Sequence, residues 1–138
     1  MKKTIRVISL VLVVVMCLTI ASFAIEPKAS LYITYTGGSA TGGDGITVNF
    51  IIVGTGKMTT IGATKIEIKT ASGITVATYR YTDVGYSYMM TSNTVSHSGS
   101  ITYEDAISGN DYYAVIYFKA GNSSGSDTDT LTTGLATA

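Results

Sequence analysis

Two segments of this chain alternate apolar and polar residues with a period of two. In residues 45–53 the apolar positions are Ile46, Val48, Phe50 and Ile52. In residues 112–120 the residues of one face are Tyr112, Ala114, Ile116, Phe118 and Ala120. Successive side chains of a β-strand point to opposite faces of a sheet, so each segment predicts a strand with one buried face. No stretch after residue 24 keeps a 3.6-residue apolar period for three turns, and the chain is therefore predicted to be all-β.

Shorter runs of the same kind recur along the chain between clusters of Gly, Ser, Asn and Asp. There are about seven of them, at residues 31–35, 45–53, 63–70, 74–81, 98–103, 112–120 and 127–133, with a weaker run at 86–90. The twenty threonines, ten tyrosines and fifteen glycines that follow residue 24 also suit strands and turns better than helices. The glycine-rich residues 37–45, which follow the first run, are predicted to form a loose loop. Regularly spaced short strands predict a sandwich or a barrel.

The first 24 residues predict a secretory signal peptide. A short basic start precedes the apolar run at residues 7–20, and Ser22 and Ala24 are the small residues that a signal peptidase recognises. We expect a signal-peptide helix that is cleaved after Ala24, with Ala29 as the alternative site. A retained membrane anchor is the other interpretation, but the apolar run is shorter than the ~20 residues that a spanning helix needs.

Removal of residues 1–24 changes the composition of the chain. Cys17, the only cysteine, leaves with the signal, so no thiol and no disulfide is expected in the remainder. Three of the nine basic residues leave and none of the nine acidic ones, which gives a net charge of −3. A mildly acidic chain without basic clusters predicts no nucleic-acid partner and no membrane association after cleavage. Residues 25–138 are expected to form a single β-sandwich domain that is secreted or displayed at the cell surface.

The stretch from residue 107 to residue 126 carries a more specific pattern. Ile107, the Gly109 turn and Tyr112 precede an alternating strand, and a turn beginning at Asn122 follows it. This pattern resembles the last two strands of fibronectin type III and related immunoglobulin-like modules. The resemblance implies a two-sheet Greek-key sandwich with Tyr112 at a tyrosine corner, a buried ring whose hydroxyl bonds to the backbone upstream. It also implies that Phe50 replaces the buried Trp of the family. In its composition and strand pattern, the whole chain is similar to small secreted bacterial proteins with no assigned activity.

One segment partly matches a phosphate-binding loop. Gly56 and Lys57 follow a predicted strand, but Met58 stands where Ser or Thr would bind magnesium, and no helix is predicted after it. We interpret the segment as a turn.

The only histidine, His97, is the one residue from which a hydrolase triad could be assembled. Ser96 or Ser98 would be the nucleophile, and Asp105 or Asp111 the orienting acid. No G-x-S-x-G elbow supports this arrangement. We expect His97 in an exposed loop before the strand at 98–103, and we predict that the protein is not an enzyme.

The acidic residues in loops and at strand ends are the candidate metal ligands. They are Asp44, Asp83, Glu104, Asp105, Asp111, Asp127 and Asp129. Calcium needs six to eight oxygen ligands, and no D-x-[DN]-x-[DN]-G loop is present, so solvated surface charge is the preferred interpretation. We predict no metal and no cofactor, and we expect Asp127 and Asp129 to point outward and discourage edge-to-edge pairing.

Four of the ten tyrosines lie within ten residues, and they are the candidate ligand-binding residues. They are Tyr79, Tyr81, Tyr86 and Tyr88. Exposed tyrosine rings can stack on sugars or anchor a protein partner. The alternative is that these rings replace Ile and Val on half-buried strands, and the alternation leaves open whether Val76 or Tyr79 faces the core.

The sequence therefore predicts a secreted, non-catalytic sandwich module for extracellular binding or adhesion, with a glycan or a surface protein as possible partner. The alternative is a structural or assembly component of the cell surface or extracellular matrix, and a hydrolase is the least favoured function. A binding module would present an exposed tyrosine patch, whereas an assembly component would present a long unpaired outer strand.

Overall fold

The strands follow the alternating segments of the sequence closely. The computed structural model describes residues 30–138, which contain nine strands and one short 3₁₀ turn, Ser87–Met89. The strands are β1 (Ile33–Thr41), β2 (Ile46–Met58), β3 (Thr60–Thr70), β4 (Thr75–Arg80), β5 (Met90–Thr91), β6 (Thr94–Tyr103), β7 (Asp111–Asn122), β8 (Gly125–Thr132) and β9 (Ala136–Thr137). The signal peptide predicted at residues 1–24 lies outside the described residues.

The described strands form two antiparallel sheets. One sheet has the order β1-β2-β6, and the other has the order β4-β3-β7-β8, with β5 paired to β3 and β9 paired to β7. The chain crosses between the sheets from β2 to β3 and again around β6, as in a Greek key. The predicted all-β, two-sheet Greek-key sandwich is confirmed, and its order is compatible with the immunoglobulin-like and fibronectin type III-like arrangement. Seven strands are long, as predicted, and β5 and β9 add two residues each.

The two strongest alternating segments supply the centre of the core. Every apolar position predicted to face inward on β2 and β7 is buried. On β3, Ile66 and Ile68 are buried between the outward-facing Lys65, Glu67 and Lys69. The pairing register of these strands is fixed by the alternation, because a shift of one residue would turn the apolar side chains of each strand toward water.

Phe50 and Phe118 meet between the sheets. Their ring centroids are 6.4 Å apart with an interplanar angle of 62°, the edge-to-face geometry that aromatic pairs favour. Gly99 on β6 makes room for this contact, since a Cβ there would lie 2.7 Å from the Phe50 ring. The sequence-based expectation that these two rings face each other is confirmed.

The tyrosine corner implied by the family resemblance is also present. The Tyr112 ring is 2% exposed, and its hydroxyl accepts a hydrogen bond of 3.0 Å from the backbone N–H of Ile107. This bond fixes the start of β7 against the preceding turn.

Strand β1 is longer than predicted. It continues through the glycine-rich segment that the sequence suggested as a loop, and Gly37 and Gly38 pair with Ile51 and Phe50 of β2. Glycine is needed at residue 38 because a Cβ there would lie 2.5 Å from the Ile116 side chain of the opposite sheet. Glycine here permits close approach of the two sheets, and the prediction of a loose loop was wrong.

Two other local predictions were also wrong. Residues 86–90, predicted as a weak strand, form the 3₁₀ turn and the start of β5. The glycine segment resembling a phosphate loop belongs to the irregular end of β2, where the pairing with β6 shifts between Val53 and Met58. Within residues 30–138, no helix is long and apolar enough to cross a membrane.

Candidate functional site

Three of the four candidate tyrosines form one cluster. The ring centroids of Tyr79 and Tyr86 are 5.0 Å apart, and those of Tyr86 and Tyr88 are 6.2 Å apart. Tyr79 is paired with the buried Ile66 and therefore points to the inward side of β4, which leaves Val76 on the outer side. The 3₁₀ turn brings the other two rings against it.

The hydroxyls of this cluster are used within the fold. Tyr88 donates to the carbonyl oxygen of Ser100 at 2.9 Å, and Tyr79 donates to that of Thr102 at 3.5 Å. Both carbonyls belong to β6, the outer strand of its sheet. Burial, followed by the neighbouring Tyr86, raises the pKa of Tyr79 to about 12, so its hydroxyl stays protonated. The cluster thus closes the side of the sandwich between β4 and β6.

His97 belongs to the same region and not to an exposed loop. It lies within β6, its ring is 5.9 Å from the Phe50 ring, and Nε2 is 2.7 Å from the carbonyl oxygen of Tyr88. The loop prediction was wrong because β6 begins at Thr94 and carries the histidine to its inner side. Ser96 and Ser98 occupy the alternate positions of β6 and point to the other face, away from the imidazole.

The acids of β8 hold strand β1. Asp127 Oδ2 accepts hydrogen bonds from Ser30 Oγ at 2.7 Å and from the backbone N–H of Leu31 at 2.7 Å and Tyr32 at 3.1 Å. Asp129 accepts from the Thr36 hydroxyl. Both acids sit on the same side of β8 as the half-buried Leu131, so the expected outward orientation was wrong.

The acids of the turn before β7 are dispersed. Asp111 accepts a hydrogen bond from the Thr137 hydroxyl on β9. Within residues 30–138, no three His, Cys, Asp or Glu side chains are grouped closely enough to hold a metal ion.

Tyr81 lies apart from the other three tyrosines and lines an open groove of about 450 Å³. We call this the Tyr81 groove, and its lining residues are Thr60, Thr64, Tyr81, Met90, Thr91, Ser92 and Lys119. The Tyr81 ring is 41% exposed, while its backbone N–H is held by the carbonyl of Thr64 at 3.3 Å. The groove combines an aromatic ring, several hydroxyls and one ammonium group.

Two backbone features of β3 create this groove. The register against β7 shifts between Ala63 and Lys65, which sets Thr64 out of the regular ladder, where its hydroxyl bonds to the carbonyl of Tyr117. A Cβ at Gly62 would clash with the carbonyl oxygen of Met89, so only glycine lets β5 approach β3 this closely. These features leave a recess between β5 and Lys119.

Next to the groove, the outer side of the four-stranded sheet collects most of the positive charge. Four of the five cations within residues 30–138 point outward there, and we call this surface the basic face. Its members are Lys65, Lys69, Arg80, Lys119, Glu67, Tyr113, Val115 and Tyr117. Lys119 belongs to both the groove and the face.

The side chains at the centre of the basic face hold one another in place. Glu67 bonds to Lys65 at 2.8 Å and lies 3.5 Å from the ammonium of Lys69. Lys65 also lies 3.9 Å above the Tyr117 ring, whose hydroxyl donates to Glu67 at 3.2 Å. The hydrogen bond between Lys65 and Glu67 raises the pKa of the lysine and lowers that of the carboxyl, so both stay charged around neutral pH.

Sequence reasoning found Tyr81 but missed its partners. Lys119, Arg80 and Lys65 lie far apart in the chain, and a search for clusters of neighbouring basic residues does not detect them. The sequence signal that could have revealed these cations is the alternation of β3 and β7, because it places Lys65 and Lys119 at outward-facing positions. No protein-family model matches this chain, and no curated protein matches it.

Proposed function

We propose that this chain is an extracellular, non-catalytic module that binds a glycan in the Tyr81 groove. The observation that carries the proposal is the convergence of a half-exposed aromatic ring with several hydroxyls in one recess. A sugar ring offers an apolar C–H face for the aromatic ring and hydroxyls at its rim for Thr60, Thr91 and Ser92. The extracellular assignment is supported by the signal-peptide pattern of residues 1–24.

The other three candidate tyrosines support this proposal less well than Tyr81 does. The hydroxyls of Tyr79 and Tyr88 are bonded to β6, and the Tyr86 ring is packed between the other two. The Tyr88 ring is as exposed as that of Tyr81, but its hydroxyl is bonded to β6, whereas the Tyr81 ring lines an open groove.

A non-catalytic role is supported by the positions of the residues from which a triad could be assembled. His97 points to the inner side of β6, where its Nε2 is 2.7 Å from a backbone carbonyl. Its neighbouring serines point to the opposite face.

A structural or assembly role receives less support than binding. Assembly through strand addition needs an outer strand with accessible backbone groups. On β6, tyrosine hydroxyls occupy the carbonyls of Ser100 and Thr102, and just before β1, Asp127 accepts the backbone N–H groups of Leu31 and Tyr32. Side chains of the same molecule thus occupy part of the backbone edge of this sheet.

The test is glycan binding by the purified exported protein and two tyrosine variants. We expect wild type to bind members of a glycan panel and Tyr81→Ala to bind them at least about tenfold more weakly, because truncating a central aromatic contact typically costs this much or more. Tyr35→Ala is the matched control, since Tyr35 is 56% exposed on the other sheet. A panel without any wild-type binding, or unchanged affinity in a folded Tyr81→Ala variant, would refute the proposal.

A further inference from the structure

Resting on the proposed function, we infer that the glycan is an acidic polysaccharide with carboxylate groups, and that its chain runs from the Tyr81 groove across the basic face. Lys119 links the two surfaces, because it lines the groove and also points outward from β7. A sugar unit seated against Tyr81 therefore has its neighbouring units directed over the cations of β3 and β4.

The strand register places two of these cations directly opposite each other. Lys65 on β3 is the cross-strand partner of Arg80 on β4, while the hydrogen bond to Glu67, the largest effect, keeps the pKa of Lys65 raised. Like charges directly opposite each other destabilise a sheet. The register thus concentrates positive charge at this point of the surface, and Glu67 offsets part of it.

The basic face is also organised before any ligand arrives. Glu67 and the Tyr117 ring hold Lys65, and the side chains of Lys65 and Lys69 are only 30% and 21% exposed. Lysines that are already ordered lose less conformational entropy on binding than free ones. Lys65 and Lys69 are four residues apart on one strand, and both ammonium groups reach the carboxylate of Glu67, which brings the two positive charges close together.

The modest net charge of this surface fits a polymer of low charge density. Its four cations are offset by Glu67, and Asp83 and Asp111 lie at its two ends. Duplex nucleic acid carries a far denser row of phosphates and favours surfaces with clustered cations and few acids. A single accessible ring beside the cations also suits one sugar unit better than a row of stacked bases.

The experiment compares one polymer backbone with and without its charge. Binding of wild type to polygalacturonate, alginate and hyaluronan is measured beside fully methyl-esterified polygalacturonate, which keeps the backbone but loses the carboxylates. We expect at least one acidic polymer to bind at least tenfold more tightly than the esterified form, with an affinity that falls as salt rises.

The variants locate the contact on the surface. Lys65→Gln combined with Arg80→Gln should weaken binding by about tenfold and flatten the dependence on salt, because charge-charge contacts are lost. Lys57→Gln is the matched control, since it removes one positive charge from β2 and leaves the basic face intact. Thermal unfolding of each variant verifies that it is folded.

The possible results separate this inference from the proposed function. Equal binding of esterified and acidic polymers, no binding of any acidic polymer, or an unaffected double variant would overturn the acidic-polysaccharide inference. If neutral glycans then still bind through Tyr81, the proposed function stands alone. Tighter binding of a single-stranded or duplex oligonucleotide than of every polysaccharide would overturn the inference in favour of nucleic acid.

Discussion

At the scale of single residues, the middle of the core depends on Phe50 and Phe118 from opposite sheets. Each side chain is buried, and the two rings meet edge to face. Gly99 and Gly38 contribute by having no side chain, because any Cβ would collide with Phe50 or Ile116. The packing density of the core therefore depends on the large rings and on the glycines that leave room for them.

Truncating one of these rings should be among the most damaging substitutions in the chain. We expect Phe118→Ala to lower the free energy of unfolding by roughly 3–5 kcal/mol, through lost burial and the cavity left behind. Ile74→Ala is the control, since Ile74 is 64% exposed and its truncation should cost less than about 0.5 kcal/mol. Denaturant unfolding of both variants checks this, and a loss below about 1 kcal/mol for Phe118→Ala would contradict the packing.

At the scale of elements, β1 depends on side chains of β8 as well as on its ladder with β2. Asp127 accepts two backbone N–H groups and one hydroxyl just before β1 begins, and Asp129 binds Thr36 further along the strand. The two strands belong to different sheets, so these carboxylates connect the sheets at one side of the sandwich.

Removing the first carboxylate should loosen the start of β1. We expect Asp127→Ala to increase hydrogen exchange at the amides of Leu31 and Tyr32 and to cost about 1–3 kcal/mol, as hydrogen bonds to charged groups do. Exchange in the middle of β7 should change only by the global loss of stability. Asp44→Ala, in the exposed turn between β1 and β2, is the control, and equal protection of Leu31 and Tyr32 in the two variants would contradict the assigned role.

At the scale of the whole molecule, polar side chains close both open sides of the sandwich. The tyrosine cluster joins β4 to β6, and the carboxylates of β8 join β8 to β1. The first closure requires protonated hydroxyls, and the second requires charged carboxylates that accept hydrogen bonds.

The tyrosine closure should make stability sensitive to alkaline pH. The pKa of Tyr79 is about 12 in the fold against 10.0 for an ordinary tyrosine, so its contribution is complete below pH 10 and is lost as pH rises toward 12. We expect the free energy of unfolding to fall between pH 10 and pH 12, and Tyr79→Phe to reduce that fall. Urea unfolding across this range, with Tyr35→Phe as control, measures it, and identical pH dependence in wild type and Tyr79→Phe would disprove the mechanism.

The parts of this molecule that sequence could predict are those set by local periodicity. Alternation identified the buried faces of β2 and β7, and the pattern around Tyr112 predicted a hydroxyl bond that is present. The Tyr81 groove could not be predicted, because it requires the close approach of β5 to Gly62 and a shift in register. The pairing of Lys65 with Arg80 likewise depends on cross-strand register, which no single segment of sequence reveals.

The position of β2 between β1 and β6 has a consequence for the timing of folding. β6 follows β2 only after β3, β4 and β5, so one side of β2 stays without its partner until most of the chain is available. Sheets built from such distant pairings fold slowly. If the chain is exported, as we propose, this delay is useful, because a polypeptide that enters a translocation channel from its N-terminus has to remain extended until its later segments have followed. The same delay leaves one backbone edge of β2 unpaired until β6 is available, and unpaired strand edges are prone to aggregation.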